Sequence, residues 1–135
     1  MLLLDTHVLL WMAEGLPQLS PTARELIDKA AAEEGLAVSA ISFWEVAMLE
    51  MRQRISLSLP IPIWREVVLK KSGATEIPVT GDVAIESVLL PGEFQEDPAD
   101  RLLVATARLQ GCRLATRDEG ILRYSAAGHV SCAKV

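Results

Sequence analysis

Short apolar runs alternate with stretches of helical periodicity along this whole chain, and that alternation leaves few folds open. Leu2–Leu4, Leu36–Val38, Thr75–Val79, Cys112–Thr116 and His129–Cys132 read as strands, the last at a sheet edge. Helical segments separate them. They cover Thr6–Met12, a helix opened by Ser20-Pro21 and ended by Gly35, Ala40–Met51, Ile63–Ser72, Val83–Leu89, Pro98–Gln110 and Glu119–Tyr124. Proline at a first helical position and glycine just past a last one are the punctuation such helices use. Ser56–Pro62 carries two prolines and reads as a connection. Strands that alternate with helices predict an α/β fold, a parallel sheet with helices on both faces. No internal repeat or long linker divides the chain, so its 135 residues are expected to form one domain, 1–135.

Half of the residues (50%) are hydrophobic, which excludes intrinsic disorder as the organising state. No apolar run approaches the roughly 18 residues that span a bilayer. Asp5 interrupts the N-terminal apolar stretch and no basic region precedes it, so a signal peptide is not expected. A cytoplasmic protein without membrane contact follows. Cys112 and Cys132 form no Cys-x-x-Cys pair and read as reduced thiols. A net charge of −5 argues against a general nucleic-acid coat protein, though not against a nuclease, whose site carboxylates count as negative until a cation binds. Two Phe, three Trp and one Tyr leave little material for a base-stacking platform.

Four acids carry the functional signal: Asp5, Glu45, Asp100 and Asp118. Asp5 follows the first strand and Asp118 the fourth. In an open parallel sheet, ligands bind beyond the carboxyl ends of the strands where strand order reverses. Neighbouring first and fourth strands would therefore turn both carboxylates into one crevice. Glu45 and Asp100 border the buried faces of their helices, three or four positions from apolar residues such as Met48 and Leu103. Polar groups placed there need a partner. Carboxylates gathered together repel one another unless a cation neutralises them, and hard divalent ions prefer such oxygens. A metal site acting on phosphate is the reading that uses all four. Each acid also has an ordinary alternative. Asp5, Asp118 and Asp97 sit where helix caps sit. Glu45 suits a half-exposed helix position or an Arg partner, and Asp100 is within reach of Arg101 or Arg24.

Other chemistries fit less well. The chain has no Gly-x-x-x-x-Gly-Lys-Ser/Thr loop, no Gly-x-Gly-x-x-Gly fingerprint and no Gly-x-Ser-x-Gly elbow. An aspartyl-nucleophile phosphatase needs a second Asp two residues after Asp5, and that position is His7. His7 itself reads as core or rim packing rather than as a ligand. Trp11, Trp44 and Trp64 are spaced as helix core or interface residues.

Four blocks taken in order are familiar. They are Leu-Leu-Leu-Asp5-Thr6-His7-Val-Leu-Leu-Trp11, Val38-Ser-Ala-Ile-Ser42-Phe-Trp-Glu45-Val-Ala, Asp97-Pro-Ala-Asp100-Arg101-Leu-Leu-Val-Ala-Thr-Ala107 and Ala115-Thr116-Arg117-Asp118. Each is weak alone, but together they closely resemble the PIN-domain family, and within it the VapC-type toxins of bacterial type II toxin–antitoxin systems. The resemblance implies a three-layer fold with sheet order 3-2-1-4-5, a Mg²⁺- or Mn²⁺-dependent ribonuclease, and a small VapB-like antitoxin as partner. Carried over by motif, Asp5, Glu45, Asp100 and Asp118 become an acidic quartet. Asp5, Asp100 and Asp118 would hold one or two ions, and Glu45 would ligate or orient the attacking water as base. Thr6, Ser42, Asp97 and Thr116 are candidates for the supporting layer around them, with ordinary capping as the alternative. One departure stands out. Close relatives often carry His where this chain has Gln95 in Phe94-Gln95-Glu96-Asp97.

With a negative chain, attraction of RNA must be local. Arg52, Arg54, Arg101 and Arg117 are the candidate RNA contacts, with Lys70, Lys71 and Arg123 as further nearby charges. Solvated surface charge is the alternative for each. A homodimer would line two such sets along one groove. Two other readings compete: a PIN-like module that binds RNA or a partner without cutting, and a nuclease for DNA or RNA maturation. The intact acids favour catalysis, and the short chain favours the toxin.

Overall fold

The computed structural model describes residues 1–135. Five strands form one sheet: β1 (Leu2–Leu4), β2 (Leu36–Ser39), β3 (Thr75–Ile77), β4 (Arg113–Thr116) and β5 (Cys132–Lys134). Seven helices connect them: α1 (Thr6–Glu14), α2 (Pro21–Glu33), α3 (Ala40–Met51), α4 (Ile61–Ser72), α5 (Gly81–Leu89), α6 (Pro98–Gln110) and α7 (Glu119–Ala126). Every strand pair is parallel, and the order is β3-β2-β1-β4-β5. The α/β class and the 3-2-1-4-5 order are as the sequence and its family resemblance imply.

The run Leu2-Leu3-Leu4 is apolar without interruption because β1, the central strand, is covered on both sides. Leu2 and Leu4 face one core with Val8, Leu9, Ile27 and Trp64, on the side of α1, α2 and α4. Leu3 faces the other with Leu103, Val104, Ile121 and Tyr124, on the side of α5, α6 and α7. Strand alternation of period two thus divides a continuous Leu run between two cores.

Some element boundaries differ from the sequence-based expectation. The last strand is Cys132–Lys134 rather than His129–Cys132, because parallel pairing with β4 sets Leu114 against Cys132 and Thr116 against Lys134. Gly128, at φ 91°, turns the chain before it. β3 stops at Ile77, before Pro78, which has no N–H for a ladder. α4 begins at Ile61 inside the expected connection, since Pro62 falls in the first turn, where a helix needs no donor. α1 runs to Glu14, where Gly15 in the left-handed region closes it. Of the tryptophans, Trp64 is buried, Trp11 is half-buried and Trp44 is 55% exposed. Both cysteines are free thiols. No helix is long and apolar enough to cross a membrane.

Candidate active site

The reversal of strand order lies between β2-β1 and β4, and it does to the chain ends what the sequence suggests. Leu4 pairs with Ala115, so Asp5 and Thr116 leave the sheet side by side. Asp5 caps α1, accepting from the Thr6 N–H through Oδ1 at 2.7 Å. Its Oδ2 accepts from the Thr116 hydroxyl at 2.6 Å. Thr116 Oγ1 in turn accepts from the Asp118 N–H at 3.0 Å, and Asp118 Oδ1 caps α7 through the Ile121 N–H at 2.9 Å. One buried hydroxyl thus ties the acids of two strands together. Capping and membership of the cleft are compatible, because each cap uses one carboxylate and still leaves it facing the crevice.

Glu45 arrives from α3, which starts directly after β2 with Ser39 as its cap. Thr6 Oγ1 donates to Glu45 Oε1 and lies 3.0 Å from the buried Ser42 Oγ. Asp100 arrives from α6, capped by Asp97, which accepts from the Asp100 N–H at 3.0 Å. Asp5, Glu45, Asp97, Asp100 and Asp118 line a single cleft of about 410 Å³, with His7, Trp11 and Arg117 at its margin. The chain's ion pairs all lie elsewhere, so neither Arg24 nor Arg101 neutralises Asp100.

Electrostatics follow from this crowding. Burial raises the Asp5 pKa, opposed by its hydrogen bonds to Thr116 and Thr6 and reinforced by Asp118. Burial likewise raises Glu45, with Asp5 and Asp97 adding repulsion. Asp100 is pushed up to about 7, first by burial and then by Asp97, Asp5 and Asp118, although a hydrogen bond from Gln95 works against the shift. Carboxylates held this far from their ordinary range are a common mark of a working site.

The basic candidates separate. Arg101 is half-buried, and its guanidinium is engaged by the protein itself. Its guanidinium donates to the carbonyls of Ser87 (2.7 Å), Phe94 and Gln95 (3.2 Å each) and Val88 (3.3 Å), pinning the segment before α6. Arg117 borders the cleft, stacked 4.6 Å above the Trp11 ring, but two of its nitrogens serve Val135 and Gln18 carbonyls. Arg52 and Arg54 are exposed at the end of α3, and Arg52 shares a shallow groove with Trp44, Glu45 and Asp97. His7 is exposed at the rim, 6.0 Å from Trp11 between ring centroids.

Gln95 is the contact that motif reading undervalues. Its Nε2 donates to Asp100 Oδ2 at 2.8 Å and to Asp118 Oδ1 at 3.3 Å. The only signal for it in the sequence is the departure from His at that position.

No three His, Cys, Asp or Glu side chains stand as an assembled ligand set for an ion. The chemistry of the donors nonetheless suits a hard divalent cation. They are carboxylate oxygens, mutually repelling, with no basic side chain paired to them.

A doubly covered parallel sheet with an acidic cleft at its switch point defines a class of α/β proteins whose ligand crevice is lined by carboxylates. A family model for the PIN domain matches residues 2–127, and the chain belongs to the PIN-domain family. It is 40% identical over 86% of its length to Ribonuclease VapC22 of Mycobacterium tuberculosis, spanning 85% of that protein. Solved structures share the fold. A chain of VapBC2 from Rickettsia felis, bound to a DNA fragment from its promoter, superposes with TM-score 0.70 at 13% identity, covering 98% of this chain and 97% of that one. FitAcB from Neisseria gonorrhoeae superposes with TM-score 0.65 at 24% identity, covering 98% and 96%.

Proposed function

We propose that this chain is a metal-dependent endoribonuclease, the toxin of a VapBC-type toxin–antitoxin pair, with Mg²⁺ or Mn²⁺ as its cofactor. The observation that carries the reading is the convergence of Asp5, Glu45, Asp100 and Asp118 on one cleft, in a chain 40% identical to a ribonuclease. Asp5, Asp100 and Asp118 are the residues to hold the ion, directly or through water. Such an ion lowers the pKa of a water and offsets the charge that gathers on a phosphate under attack. Glu45 is the base. Thr6 occupies its Oε1, no bond in the protein engages Oε2, and its raised pKa suits proton acceptance. Thr6, Ser42, Asp97 and Thr116 orient these carboxylates.

RNA reaches the cleft along Arg52 and Arg54, with Arg117 at its edge. A VapB-like antitoxin is the partner this reading requires, and the pair belongs in the cytoplasm. The toxin is a homodimer on this reading. Trp44 and Met51, 55% and 70% exposed on α3, are apolar side chains such a contact would cover. A monomer by light scattering at micromolar concentration would overturn the dimer.

The direct test is cleavage of end-labelled tRNA and single-stranded RNA with Mg²⁺, with Mn²⁺ and with EDTA. Cutting is expected only with the ion, and is expected to disappear in Asp5→Asn and Asp100→Asn. Activity that survives both substitutions would refute the acidic site. Thr116→Val removes both the donor to Asp5 and the acceptor of the Asp118 N–H. Ion binding should weaken roughly 10–100-fold by calorimetry. Unchanged affinity would assign Thr116 to folding alone.

A further inference from the structure

Gln95 holds two of the acids at once, and the surrounding chain is built to aim it there. Arg101 fixes the carbonyls of Phe94 and Gln95 at 3.2 Å each. The Phe94 ring stacks on Tyr124 at 4.6 Å, and the Tyr124 hydroxyl donates to the Pro91 carbonyl. On the other side of the amide, Gln95 Oε1 packs over Gly120, where an added Cβ would run into it. The missing side chain at Gly120 is therefore the seat of the amide oxygen. With Oε1 seated there, Nε2 is left to face Asp100 Oδ2 and Asp118 Oδ1.

We propose that Gln95 is a positioning residue that competes with the cation for Asp100 and Asp118, so that its amide must leave them for the ion to bind. The inference rests on the metal-dependent reading above. An N–H donor uses the same oxygen lone pairs that a divalent ion needs. Mg²⁺ takes oxygens at about 2.0–2.1 Å in a near-octahedral shell, so an ion held by Asp100 Oδ2 and Asp118 Oδ1 would displace the amide N–H from them. Without an ion, the amide separates two carboxylates that otherwise repel across the cleft. Gln95 therefore stabilises the ion-free protein and weakens ion binding together.

Calorimetric titration of the whole protein with Mn²⁺ and with Mg²⁺ tests this, alongside melting curves in EDTA. Gln95→Ala should bind either ion tighter by roughly 10-fold, the worth of one hydrogen bond to a charged acceptor that the ion no longer has to displace, and should melt lower in EDTA. Gln95→Ala that binds as the wild type does, or more weakly, overturns the competition while leaving the metal site standing. If the wild type itself takes up neither ion, the metal-dependent reading falls and the competition with it.

Discussion

Asp100→Asn should abolish RNA cleavage and, in EDTA at pH 8, raise the melting temperature. Asp100 sits half-buried among Asp97, Asp5 and Asp118, with its pKa pushed up to about 7 from an ordinary 3.8. At pH 8 the folded protein must keep it ionised there, whereas the unfolded chain ionises it freely in water. Each pKa unit corresponds to about 1.4 kcal/mol. Solvent screening at a half-buried site, and the favourable place of an acid in the first turn of α6, cut the net gain to about 1–2 kcal/mol. That is about 3–8 °C for a domain of this size. Asn keeps an oxygen to accept from Gln95, so the hydrogen bond survives while the repulsion goes. Cleavage should fall at least roughly 100-fold, as when a group acting on the transition state is removed. A lower melting temperature at pH 8 in EDTA would contradict the electrostatic account of this site. The difference should shrink as pH falls from about 7 towards 3.8, and below that, where Asp100 is protonated in the folded and unfolded states alike, the two proteins should melt together.

The second large effect is a steep pH dependence of the stabilisation that an added ion gives. Asp5, Glu45 and Asp100 all have raised folded pKa values. Between the ordinary carboxylate range and those values, the folded state binds more protons than the unfolded one. Stability contributed by these groups is then complete at low pH and is lost as pH rises, for Asp100 through about 7. A divalent ion requires the ionised forms and competes with those protons. The increase in melting temperature produced by saturating Mn²⁺ should therefore be small at pH 5, grow steeply, and level off above about pH 7. At an ion concentration 100 times its dissociation constant the gain is about 2.7 kcal/mol. An increment that is flat from pH 5 to pH 8 would mean that the ion binds somewhere other than among these acids.

The two predictions depend on different parts of the molecule being legible beforehand. The three consecutive leucines and the aspartate after them read as a buried strand that ends in a polar group, because a run this short and wholly apolar suits a central parallel strand. The helix caps are as readable: Ser20 before Pro21 and Asp97 before Pro98 each accept from an N–H in the first turn of their helix. Boundaries were less legible where pairing, not composition, decides. β5 lies at Cys132–Lys134 because β4 offers its hydrogen bonds there, although Lys134 is a poor strand residue by itself.

Local chemistry determined which residue types stand at each strand end and helix start, and with them the four acids. A carboxylate after a strand and one on the border of a buried helix face are visible in the order of residues alone. What only the tertiary structure decided is which groups meet. Arg101 is invisible as a structural pin until the carbonyls of Ser87, Val88, Phe94 and Gln95 are folded around it. The pKa of Asp100 likewise depends on Asp5, 95 positions earlier, and on Asp118, both brought to it by the β1–β4 pairing. Gln95 becomes legible only when Gly120 lies beneath its amide. Charge repulsion, burial and hydrogen bonding act over a few ångströms of space, and distance along the chain carries no record of them until the sheet closes.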